Sequence, residues 1–331
     1  MQGIDVHTHV VPASLPPSLG GAGAIAWPSV EHVDCCHARV LVGGKPYREI
    51  EDSCWNVKRR VDEMNAMGIA RQVLSPMPEL LSYWLPADHA RHLARHINEQ
   101  IAEMVAEAPD RFVGFGMVPL QSPTLAIEEL VHLTEVLGLK GIEIGTNVED
   151  KPIGHPDFAA FFAEVEARGV AVFVHPLRPA GLDRLVGAPI LEQVVAFPCE
   201  TAFAIASLMT SGLLAAHPEL RIAFAHGGGS FGQVLPRLQH AWTIAPGLKK
   251  VMPQGPRDLA RLLYYDTLVY DATALRFLAA QFGVSQLLIG TDYPFAIMEH
   301  KPLERLTEAG FSADDINAIT HLNAKRYLGA I

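Results

Sequence analysis

Two histidines separated by one residue, in Ile4-Asp5-Val6-His7-Thr8-His9, are the first feature of the sequence that could do chemistry. Side chains at i and i+2 of a strand point to the same side, so both imidazoles converge. Two neutral imidazoles suit Zn2+ or a similar divalent metal. Three later segments end an apolar run in a residue of the same kind: Val172-Phe173-Val174-His175-Pro176, Ala223-Phe224-Ala225-His226-Gly227-Gly228-Gly229 and Leu287-Leu288-Ile289-Gly290-Thr291-Asp292. Taken singly, each such residue also reads as a cap or turn residue. Placed together at the ends of the first, fifth, sixth and eighth strands of a closed barrel, they ring one mouth as an N/O ligand set that leaves a position open for water.

The elements that must position these residues alternate. Short apolar runs are expected as strands at Ile4–Val10, Arg71–Leu74, Phe112–Val118, Gly141–Ile144, Val170–Val174, Ile222–Ala225, Leu268–Tyr270 and Leu287–Ile289. Segments of helical period lie between them: Val57–Met67, Ala87–Glu107, Pro123–Gly138, Pro156–Arg168, Thr201–Ala215, Phe231–His240, Ala272–Phe282 and a C-terminal pair from Pro302 to Tyr327. Eight strand–helix units predict an α/β fold, a (β/α)8 TIM barrel. A doubly wound open sheet competes, but no Gly-rich dinucleotide turn follows the first strand. Pro12 to Ser53 is too long to be a simple connection. Within it, Gly43-Gly44 separates Ala38–Val42 from Lys45–Ile50 and predicts a small β-hairpin inserted after the first strand. We therefore expect one domain, residues 1–331, with 12–53 as a cover over the catalytic face.

Composition narrows the partners. A formal net charge of −10, with Lys and Arg scattered, argues against nucleic acid. The longest apolar stretches, such as Leu287–Gly290 and Val170–Val174, fall short of the roughly 20 residues that span a bilayer, so no membrane is expected and the location reads as cytoplasmic. Four cysteines, Cys35, Cys36, Cys54 and Cys199, do not make a disulfide framework in a chain of 331 residues. They are expected as buried or partly buried thiols. The segment Glu200-Thr201 reads as a cap for the helix that follows it.

With these motifs in place, the sequence resembles the amidohydrolase superfamily, and within it the metal-dependent decarboxylase branch typified by 2-amino-3-carboxymuconate-6-semialdehyde decarboxylase. The resemblance runs from Ile4–His9 through Ser53-Cys54-Trp55, Arg111-Phe112-Val113-Gly114, Phe173–Pro176 and Phe224–Gly229 to Gly290-Thr291-Asp292-Tyr293-Pro294-Phe295. It implies one divalent metal per chain, Zn2+ with Mn2+ or Co2+ as alternatives, held by His7, His9, His175 and Asp292. It implies that His226 stays off the metal and acts as the acid/base. It also implies a homodimer in which Arg237 reaches into the neighbouring site. After the fourth strand, Gly141-Ile142-Glu143-Ile144-Gly145 offers no Lys to bridge two metals, and Lys140 sits at the wrong end, so a mononuclear centre is expected.

The expected activity is loss of CO2 from a small unsaturated or aromatic carboxylic acid, with His226 and Asp292 handling the proton. Hydrolysis of a lactone, amide or ester, hydration, and a catalytically silent metal-binding barrel are the other readings. Arg48 and Arg237 are candidates to hold the substrate carboxylate, because guanidinium offers paired donors. Trp55, Tyr83, Trp84 and Phe295 are candidate walls. The branch carries arginines at the positions of both Arg48 and Glu51, and basic residues at those of Val42 and Ala245. A Glu51 inside the pocket would favour a monocarboxylic substrate.

Overall fold

In the computed structural model, which describes residues 3–19 and 25–329, eight parallel strands follow one another around a barrel. They are β1 (Gly3–Val10), β2 (Ile69–Pro76), β3 (Phe112–Gly116), β4 (Gly141–Gly145), β5 (Ala171–His175), β6 (Arg221–Phe224), β7 (Tyr264–Asp266) and β8 (Leu287–Leu288). Bridges Asp5↔Ile289 and Thr8↔Tyr293 tie the last strand back to the first. The (β/α)8 expectation is met. Its seventh strand is not: Leu268–Tyr270 is the loop after β7. That segment carries the apolar signal, whereas the true strand is three residues long and ends in an acid.

The inner face holds an apolar floor of Ile4, Val6, Val73, Phe115, Phe173 and Leu288, closed from below by Tyr327 and Leu328. A larger apolar layer lies between the strands and the helices outside them. Those helices include α1 (Val57–Met67), α2 (Ala87–Glu107), α3 (Pro123–Glu135), α4 (Ala159–Ala167), α5 (Phe197–Thr210), α6 (Phe231–Ile244) and α7 (Ala272–Phe282). Local sequence sets their ends. Asn56 caps α1 by accepting from the Arg59 N–H at 3.1 Å, and Gly68 ends it in the left-handed conformation.

The insertion is more than a hairpin. Pro28–His32 pairs with His37–Val42, which pairs with Lys45–Glu51, in a three-stranded antiparallel sheet. The run Glu192–Thr210, a wide turn leading into α5, is apolar and long enough to cross a membrane by length and composition, contrary to the expectation from contiguous stretches. Its inner side, including Ala204, Ile205, Leu208 and Met209, is buried in the fold. Glu200 lies within α5 and is not its cap. Only Cys54 is buried and Cys36 half-buried, while Cys35 and Cys199 are exposed.

Candidate metal centre and substrate cavity

A bulge in β1 aims the histidines. Three steps along β1, from Asp5 to Thr8, oppose two along β2, from Gln72 to Leu74. Such an extra residue shifts the in-out alternation, so Ile4 and Val6 face the floor while His7 and His9 face the mouth above it. The bulge is held on both sides. Asp5 accepts from the His7 N–H at 3.2 Å and from Thr291 Oγ1 at 2.6 Å. From α1, the fully buried Arg60 donates to Thr8 Oγ1 at 3.0 Å and His9 O at 2.9 Å.

Each of the three ligand-type histidines has one ring nitrogen engaged by a protein oxygen. His7 Nδ1 donates to Asp266 Oδ2 at 2.6 Å, His9 Nδ1 to Pro76 O at 3.1 Å and His175 Nδ1 to Pro176 O at 2.9 Å. In a neutral ring that leaves Nε2 as a bare lone pair. His7 Nε2 and His9 Nε2 lie 3.2 Å apart, and Asp292 Oδ1 lies 3.1 Å from His9 Nε2 and 3.6 Å from His7 Nε2. Ligand atoms of His7, His9, His175 and Asp292 all fall within 4.8 Å of one another, and all four residues are buried. Lone pairs converging on a carboxylate oxygen that has no hydrogen-bond partner fit a divalent cation. So do the charge states. Burial holds His9 down at about 4, and burial with its neighbouring imidazoles holds His175 well below its usual value. Burial works against the charged Asp292 carboxylate, yet the close His9 imidazole and the charge of His7 outweigh it and hold the carboxyl far below the usual range. His7 is raised despite burial, through Asp266 and Asp292: the cluster calls for a positive charge, which a metal ion would supply.

His226 stands beside this set and outside it. Its ring centroid is 5.1 Å from that of His175 and 5.3 Å from that of His7, and its Nδ1 is buried without a partner. Burial, then the charge of His7, lowers its pKa. Glycines make room here. A Cβ on Gly229 would lie 2.3 Å from Pro198 O, and one on Gly290 would lie 2.6 Å from Asp266 Cβ. Glu143 is fully buried, with Oε2 3.6 Å from His9 Nδ1, and burial followed by the Asp292 charge pushes its carboxyl well above the usual range.

Asp266 was not singled out by the sequence, and it is the hub. Besides His7, it accepts from the backbone N–H groups of His226 at 3.0 Å, Gly227 at 2.8 Å and Leu268 at 3.1 Å. The signal was an acid ending a short apolar run, as at Asp292.

Above the ring lies a cavity of about 470 Å3 lined by His175, His226 and Asp292 together with Tyr47, Arg48, Phe197, Tyr270 and Phe295. Phe295 stacks on His9, with centroids 5.2 Å apart, and Arg48 lies 4.1 Å above the Phe295 ring. A second arginine, Arg178, enters the same cavity. It stacks on Trp84 at 3.6 Å and pairs with Glu79 at 3.0 Å. Other expected contacts are elsewhere. Trp55 packs edge-on against His32 and Tyr83 lies buried beneath Gly145, and neither lines the cavity. Glu51 borders only the adjoining outer cavity and pairs with Arg59, so it does not oppose Arg48 in the inner one. Arg237 is exposed on α6 and does not reach this chain's site. Glu200 bridges loops near the mouth, accepting from Asn147 and from the Ala180 N–H, both at 3.0 Å.

The amidohydrolase family profile matches residues 4–330. The chain is 37% identical over 330 residues to 2-amino-3-carboxymuconate-6-semialdehyde decarboxylase of Dictyostelium discoideum, covering 98% of this chain and 91% of that one. Among solved structures, the apo form of IDCase from Metarhizium anisopliae superposes with a TM-score of 0.83 at 22% identity, covering 99% and 97% of the two chains. A dihydroxybenzoic acid decarboxylase from Polaromonas sp. JS666, solved with bound manganese and 2-nitroresorcinol, superposes with a TM-score of 0.71 at 26% identity, covering 82% and 85%.

Proposed function

The chain belongs to the amidohydrolase family, and we propose that it works there as a metal-dependent decarboxylase, a carbon–carbon lyase acting on a small unsaturated or aromatic carboxylic acid. The observation that carries this reading is the enclosed ring of His7, His9, His175 and Asp292, opening upward into a cavity with an arginine and an aromatic wall. Those four residues would hold one divalent ion, which when bound polarises substrate oxygens and makes a bound water more acidic. Zn2+ is our assignment, since three imidazoles and one carboxylate suit it; Mn2+ and Co2+ are the alternatives that elemental analysis separates.

The chain's own residues then do the rest. Arg48 faces the substrate carboxylate with paired donors, and Phe295 beneath it offers a flat apolar surface to an unsaturated acid. When the bond to the carboxylate breaks, its electron pair stays on the carbon and CO2 leaves. That carbon must gain one proton. His226 is placed to hold or release it, because its buried Nδ1 has no protein partner to give up first. Asp292, beside it at the cavity floor, is the second candidate relay. Hydrolysis of a lactone, amide or ester is the alternative use of the same centre.

We further propose one domain with 12–53 as its cover, which Tyr47 and Arg48 support by lining the cavity. A homodimer would give the exposed Arg237 a use at a neighbouring mouth. The unpaired cysteines support a cytoplasmic location. The deciding experiment is CO2 release from a panel of unsaturated and hydroxylated aromatic acids by metal-loaded protein. Turnover of esters or lactones with none of the acids would overturn the assignment.

A further inference from the structure

We infer that Asp34, Cys35 and Cys36, at the tip of the cover sheet, form a second cation site selective for thiophilic divalent metals. Two adjacent thiols have no part in the chemistry above, and the fold presents them together. They sit in the turn between Pro28–His32 and His37–Val42, with Sγ atoms 2.9 Å apart and the Asp34 carboxylate completing a group whose ligand atoms lie within 4.8 Å of one another. The turn is built before any ion arrives. Asp34 Oδ1 accepts from the N–H groups of Cys36 and His37, both at 2.8 Å, the Val33 N–H donates to His37 O at 2.9 Å, and the Asp52 N–H fixes Cys36 O at 2.8 Å. Ordering the ligands therefore costs little on binding.

Chelation is the better use of this pair than a disulfide. Adjacent Cα atoms are about 3.8 Å apart, below the roughly 4.4–6.8 Å of ordinary disulfides. One cation can instead bridge both sulfurs, replacing two thiol protons, which leave to solvent, with Asp34 Oδ2 as third ligand in exchange for its 3.0 Å contact with His37 Nδ1, and with water able to reach the fourth position. Soft sulfur ligands select Zn2+ or Cd2+ over Mg2+ or Ca2+. The catalytic ring offers no sulfur, so the two sites answer to different readouts.

The test is a Cd2+ titration of the metal-loaded full chain, followed by the ultraviolet thiolate-to-cadmium charge-transfer band. The expected result is one equivalent per chain, with the band lost in Cys35→Ser and in Cys36→Ser and retained in Cys199→Ser. Asp34→Asn keeps an acceptor for the turn but removes the charge, and should weaken binding by at least the roughly 10-fold that losing even an indirect metal partner costs. Apparent affinity should rise with pH as the thiol protons become easier to displace. Absence of the band, its persistence in either single serine variant, or a stoichiometry of one Cd2+ per two chains would overturn the proposal. CO2 release by Cys35→Ser should match that of the parent, so a failed titration leaves the decarboxylase assignment standing.

Discussion

His7, His9 and His175 each commit one ring nitrogen to a fixed protein oxygen and keep the other for the centre, whereas Arg48, on the cover sheet, rests over ring faces and forms no ion pair among the described residues. The ring is set by strand ends, a bulge and a shared carboxylate. The wall above it is assembled from the cover strand Lys45–Glu51, the loop holding Arg178 and the turn before α5. Locked ligands tolerate little change, while a wall drawn from separate segments can be altered piece by piece. One barrel can thus keep its chemistry while its substrate changes.

The sharpest way to break this contrast is to remove a ligand. Asp292→Ala or His9→Ala should lose the metal by elemental analysis and lower turnover by about 10³-fold or more, since a bound cation stabilises charge by several kcal/mol. Full metal retention in both would dissolve the proposed set. His226→Asn should keep the metal and still lose roughly 10²–10⁴-fold in kcat; loss of metal instead would move His226 into the ring. Next comes Asp266→Ala, expected to cost about 10–100-fold in metal affinity or activity, because it orients His7 and anchors the His226 backbone together. An effect on folding alone, with unchanged affinity in the folded fraction, would reduce Asp266 to a structural residue. The wall gives the smallest effects. Arg48→Ala should raise KM by roughly 10–100-fold with kcat less affected, the scale of a charge-assisted contact of about 1.5–3 kcal/mol. Glu51→Arg should change kcat/KM less than about threefold, since Glu51 sits outside the inner cavity. A large switch between mono- and dicarboxylic acids on that substitution would bring Glu51 back into the wall.

The same division governs what the sequence disclosed. The ring was legible because the barrel repeats one design, an apolar run ended by His or Asp, and topology turns strand ends into neighbours. β7 escaped because Thr267–Tyr270 is more apolar than Tyr264–Asp266, and Asp266 was overlooked with it. The third cover strand opens on Pro28, a poor strand signal, and was missed for that reason. Arg178 owes its place to a left-handed backbone, φ 43°, that nothing in His175-Pro176-Leu177-Arg178 announces. Glu51 looked like a pocket residue by position alone, and only the packing of Arg59 shows where its charge is answered.

His226 and Asp292 both have positive φ, 56° and 63°, a conformation that a side chain with a Cβ enters at a cost of order 1–3 kcal/mol. Evolution therefore faces a tension at these positions. Glycine would relax the backbone and remove the function in one step, so His226→Gly is a route by which a descendant of this enzyme could gain thermal tolerance while drifting into silence. The two residues that matter most to turnover are also places where selection for robustness alone would discard them.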